Sequence, residues 1–94
     1  MTYLLIKHKV NDYQNWKMVF DDFVDYRKVG GEKDFKIFHP KGEPNNLILL
    51  LQWENAESAQ EFIESRSLQH AMEQAGVSEA PEIQYLEMIE AGMV

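Results

Sequence analysis

The segment Leu47-Ile48-Leu49-Leu50-Leu51-Gln52-Trp53 is the most apolar stretch of the chain and restricts the fold more than any other feature. It lies between turn-forming residues (Gly42, Pro44, Asn45, Asn46) and Asn55, and its length suits a strand. Successive strand side chains point to opposite faces, so Leu47, Leu49, Leu51 and Trp53 stand on one side and Ile48, Leu50 and Gln52 on the other. A strand apolar on both faces belongs inside a sheet that is covered on both sides. Other segments repeat the pattern: Leu4, Ile6 and His8 oppose Tyr3 and Leu5; Ile83, Tyr85 and Ile89 oppose Leu86 and Met88; and Phe35 and Ile37 oppose Phe38. The helices of a 94-residue chain can shelter only one face. Covering roughly 500–800 Å² of the other stabilises by roughly 12–20 kcal/mol gross, before the entropy of association is subtracted. The simplest cover is the same face of a second copy, packed about a two-fold axis. Which face meets the helices is left open by the alternation.

The remaining segments fit one domain spanning residues 1–94. Thr2–Val10 reads as a strand. Asn11 or Asp12 caps a helix, with Gln14 placed as a capping-box partner if Asn11 is the cap. Trp16, Phe20, Phe23, Val24 and Arg27 form one face of this helix, which runs to Gly30-Gly31. Asp34–His39 reads as a second strand, Lys41–Asn46 as a turn and Leu47–Trp53 as the third strand. Asn55 caps a helix with Ala59, Phe62 and Ile63 inside. Ser67 starts a short helix with Leu68, Ala71, Met72 and Ala75 inside, and Gly76 ends it. After Pro81, Glu82–Ile89 forms the fourth strand. The order βαββααβ is a split pair of crossover units. It predicts a four-stranded antiparallel α+β sheet with helices on one side and the first and third strands central, those two running parallel. Asp34, Lys36, Glu82 and Glu87 mark the second and fourth strands as edges.

Nine basic against sixteen acidic residues give a net charge of −7, which disfavours phosphate backbones and anionic lipid as partners. No apolar run approaches the ~20 residues of a membrane span, and the composition points to a soluble cytoplasmic protein. Cysteine is absent, so no disulfide reinforces the thin core. No HExxH, EF-hand, phosphate-loop or GxSxG pattern occurs, and His8, His39 and His70 sit on three different elements, so neither a metal site nor a serine nucleophile is expected.

Lys7-His8-Lys9-Val10-Asn11-Asp12-Tyr13-Gln14-Asn15-Trp16-Lys17 resembles a motif of the small dimeric α+β-barrel proteins of the antibiotic-biosynthesis-monooxygenase-like group. Gln52-Trp53-Glu54-Asn55, and Ala75-Gly76-Val77 through Pro81-Glu82-Ile83, do so as well, most closely to a cyclase-like branch. The resemblance covers nearly the whole chain and implies a ferredoxin-like fold and a homodimer. Some members oxidise polycyclic aromatic molecules with oxygen and neither metal nor flavin, and others degrade haem. The haem-degrading members resemble one another in a first-strand asparagine, a helical tryptophan and a histidine ligand. Those positions fall here on Lys7 or His8, Phe62 and Met72, so haem degradation is not expected and no cofactor is implied.

His8, on a central strand, is the candidate proton acceptor, since imidazole titrates near neutral pH. Trp53 and Tyr85 are candidate pocket walls that could instead be ordinary core, and His39, beside Pro40, is either a ligand contact or a solvated strand end. His70 and the acidic positions Glu54, Glu57, Glu61 and Glu64 read as solvated surface. The expected activity is cofactor-independent handling of a small aromatic or polyketide-like molecule. A ligand-binding module without catalysis, or a purely structural homodimer whose interior lacks a void of roughly 300 Å³, would use the same residues.

Overall fold

Strand β1 (Thr2–Lys9) pairs on both sides, with β3 (Asn46–Trp53) and with β4 (Glu82–Glu87), while β2 (Glu32–Phe38) closes the far edge beside β3. The computed structural model, which describes residues 1–94, therefore has sheet order β2-β3-β1-β4. Every neighbouring pair is antiparallel. The expectation that the first and third strands run parallel is thus overturned. The β2–β3 hairpin reverses the chain after the first crossover, so β3 enters beside β1 in the opposite sense. The parallel partners, β1 with β2 and β3 with β4, are each separated by one strand.

The segment read as one helix is two: α1 (Tyr13–Asp22) and α2 (Val24–Gly30), broken at Phe23, whose φ of −88° and ψ of 2° leave the helical region. At the break the Phe20 carbonyl accepts from the Phe23 amide and from the Arg27 guanidinium. Asp12 rather than Asn11 is the N-cap, its carboxylate accepting from the Asn15 amide at 2.9 Å. The Asn11 amide instead donates to the Gly76 carbonyl. Gly31, at φ 121°, turns the chain into β2, which begins at Glu32, two residues earlier than its sequence pattern suggests.

Asn55 caps α3 (Ala56–Glu64), accepting from the Ser58 amide at 2.8 Å. Ser65, not Ser67, caps α4 (Arg66–Gln74) through the Leu68 amide. Gly76, at φ 75°, ends α4 in a Schellman turn in which the Val77 amide donates to Met72 and that of Gly76 to Glu73. Val77 then bridges to Val10. Strand β4 stops at Glu87 instead of Ile89 because its partner strand starts at Thr2, opposite Glu87.

All four helices lie on the face of Leu4, Ile6, Leu47, Leu49, Leu51 and Trp53, which form the buried core with Trp16, Phe20, Ala59 and Phe62. On the opposite face Tyr3, Leu5, Ile48, Leu50 and Leu86 are only half-buried, and Phe38 is exposed. Overall dimensions of 35 × 33 × 20 Å leave one helical layer on one sheet. No helix is long and apolar enough to cross a membrane.

Candidate functional site

A narrow slot of about 50 Å³ lies between the sheet and the helices. Ile6, Leu49, Leu51 and Ile83 form its floor; Trp16, Phe20 and Phe23 form one wall; and Phe62, Ile63, Leu68 and Met72 close it from α3 and α4. Strand alternation aims the floor residues inward, and the three- and four-residue spacing of the helices aims the rest at them. Only His8 and Arg27 bring polar side chains to this lining.

His8 is 9 % exposed, and neither ring nitrogen has a hydrogen-bond partner. Its ring meets Trp16 edge-on, with centroids 5.7 Å apart. Burial lowers its pKa to about 4, so the ring is neutral at physiological pH and offers one donor and one acceptor. Each buried polar atom left without a partner costs about 1–3 kcal/mol. A ligand carrying a hydroxyl would satisfy the acceptor and could give up its proton there.

Arg27 is buried beneath α1, its Nε 3.1 and 3.2 Å from the two Glu32 carboxylate oxygens. Its guanidinium carbon lies 3.6 Å from the centre of the Phe20 ring. Burial pushes the Glu32 carboxyl above its ordinary range, while the Arg27 charge and hydrogen bond pull the other way. No group of three or more His, Cys, Asp or Glu side chains is placed to hold a metal ion.

No protein-family sequence model and no curated protein matches the chain. Solved structures do. SnoaB, a cofactor-independent oxygenase from Streptomyces nogalater, superposes with a TM-score of 0.77 at 8 % identity, over 96 % of this chain and 94 % of its own. A Caulobacter crescentus protein provisionally described as an antibiotic biosynthesis monooxygenase gives 0.73 at 18 % identity, over 95 % and 90 % of the two chains. One from Nitrosomonas europaea, described in the same provisional terms, gives 0.72 at 12 % identity, over 96 % and 100 %. The chain has the antibiotic-biosynthesis-monooxygenase-like fold.

Within this monooxygenase-like fold the sequence-derived candidates separate. His8 lines the slot. Trp53 does not: it is fully buried at the end of β3, packed on the Phe62 ring 4.7 Å away and on Gly30, its indole N–H without an acceptor. Tyr85 sits on edge strand β4 opposite Leu4, 47 % exposed and outside the lining. His39 is exposed after β2, its Nδ1 2.8 Å from the Pro40 carbonyl oxygen. Neither Trp53, Tyr85 nor His39 is brought together with His8 in the slot. His70 and the four α3-side glutamates are exposed.

Arg27 was legible as a member of the first helical face but not as a slot residue. A charge in register with Trp16, Phe20 and Phe23, with a carboxylate five residues on, is the signal that marks it.

Proposed function

We propose that the chain acts as a homodimer, each protomer binding a small aromatic molecule in the slot, where His8 accepts a proton from it. The observation that carries this reading is the buried histidine with two unpartnered nitrogens. In a purely structural interior a leucine or phenylalanine would fill the same space without the desolvation cost. When a substrate C–H or O–H bond gives its proton to His8, the anion left behind attracts the imidazolium and raises its affinity for that proton. The electron-rich anion would then react with dioxygen directly. Oxygen adds to the carbanion as a peroxide, the imidazolium returns the proton, and loss of water leaves a carbonyl. SnoaB, of like fold and cofactor-independent, lends this chemistry a precedent.

The slot as it stands, about 50 Å³, is smaller than the roughly 300 Å³ of an ordinary ligand pocket, so occupancy requires side chains of its lining to swing aside. That smallness is what favours the second reading, a structural dimer with a filled interior. Oxygen uptake with a panel of quinols and phenols separates the two. Under the first reading at least one compound gives uptake that falls on the order of 100-fold in His8→Ala. Uptake unchanged in His8→Ala removes the proton-acceptor role. A panel with neither turnover nor binding leaves the structural dimer.

The dimer reading rests on the unsheltered face of Tyr3, Leu5, Ile48, Leu50 and Leu86. Facing the same patch on a second copy closes two sheets into one barrel. A dimer operating in the cytoplasm accords with the absence of cysteine.

A further inference from the structure

The slot has a second polar end. From His8 the lining runs through Trp16 to Phe20, whose rings stack 4.8 Å apart at 17°, and on to the Arg27 guanidinium above Phe20. The guanidinium nitrogens are used unequally. Nε donates to both oxygens of Glu32 and Nη1 to the Phe20 carbonyl, whereas Nη2 has no acceptor in the protein. Arg27 as a residue is only 2 % exposed. Yet Nη2 is not among the unpartnered polar atoms sealed from water, which are the two His8 nitrogens and the Trp53 indole nitrogen. Arg27 is also one of the two polar residues that line the slot.

We propose that Arg27 is a ligand-positioning residue, its Nη2–H groups holding a carbonyl oxygen at the end of the slot away from His8. The proposal builds on the slot as a ligand site and adds a substrate class: flat, neutral molecules with a carbonyl acceptor. The charge balance selects neutrality. Glu32 already compensates the guanidinium, so a second carboxylate brought into this apolar lining would leave an uncompensated buried anion. The fork is also held in advance, by Glu32 on one side and the Phe20 ring and carbonyl on the other, so little ordering is required when a ligand binds. Trp16 and Phe20 stack on one another, so their ring edges would border the molecule between the two polar ends.

Acetophenone and ethylbenzene test this, being single-ring probes of nearly equal shape that differ by one carbonyl oxygen. Binding to the full chain is followed by two-dimensional NMR titration. Acetophenone is expected to bind about tenfold more tightly, although it is the better solvated of the two in water. In Arg27→Met/Glu32→Leu, which removes the pair together and so leaves no buried lone carboxylate, the preference is expected to vanish or reverse. A merely structural role would weaken both probes alike and leave their ratio unchanged, and that result overturns the proposal. Ethylbenzene binding as well as acetophenone to the unaltered protein overturns it too, while leaving the slot as a ligand site. Failure of both probes to bind overturns the slot reading and, with it, the role of Arg27.

Discussion

Leu4 faces Leu51 across the central strand pair, and one residue along Leu5 faces Leu50 on the other side of the sheet. The first pair is sealed under the helices, at 0 % and 1 % exposure, and the second is half-buried with no layer above it. A sheet so unevenly covered predicts association through the Leu5–Leu50 side. Leu5→Lys/Leu50→Lys places two charges in the middle of that surface. The expected outcome is a particle of one-chain mass by light scattering at micromolar concentration, where the unaltered protein shows twice that mass. A folded single-chain particle for the unaltered protein would remove the dimer.

His8 links stability to pH. The unfolded chain takes up a proton at this ring below its ordinary pKa of 6.5, whereas the folded ring resists until about 4. Its contribution is therefore fully present above pH 6.5 and is lost as the pH falls through the window to about 4. At about 1.4 kcal/mol per pH unit the loss approaches about 3 kcal/mol. His8→Leu is expected to remove this component, so its advantage over the unaltered protein should widen across the window. Urea unfolding at a series of pH values measures it, and parallel curves for the two proteins would contradict the burial of a neutral ring.

The Arg27–Glu32 pair is buried on both sides, with side chains 2 % and 6 % exposed. Removing one partner strands the other: Arg27→Met alone should cost about 3–5 kcal/mol. Arg27→Met/Glu32→Leu should recover much of it, since two apolar side chains need no compensation. A double-mutant cycle by chemical denaturation gives the answer, and additive losses would show that the two act independently.

Gly76 adopts φ 75°, and a Cβ there would stand 3.3 Å from Asn11 Nδ2. Gly76→Ala should destabilise by about 1–2 kcal/mol through the left-handed backbone alone. The loop carrying Asn11 must also give way by a few tenths of an ångström. Thermal unfolding compares the two chains, and an unchanged midpoint would mean that the turn relaxes.

Alternation and punctuation made most of the fold legible. The two-faced runs around Leu5 and Leu50, the caps at Asp12 and Asn55 and the stop at Gly76 are local signals that survive in the folded chain. Three features escaped because they depend on distant partners. At the break near Phe23, Arg27 reaches back to the Phe20 carbonyl, a contact the spacing does not reveal. The sense of β3 relative to β1 is set by the hairpin before it. Trp53 shares the alternation of Leu49 and Leu51, but whether it borders a void or is roofed over depends on Phe62 crossing the strand end. For the site, His8 was readable as a chemically able residue on the strand. Its lack of partners was not, because that depends on every side chain folded around it.

Ile6 floors the slot, while its chain neighbours Leu5 and Lys7 point through to the opposite side of the same strand. In the proposed dimer, one thickness of backbone would separate a bound molecule from the second copy. A guest that tilts β1 to gain room would shift its neighbours against the twin, so occupancy and pairing would be felt by one another. Dilution would then weaken the grip on the guest, although no residue touching it had changed.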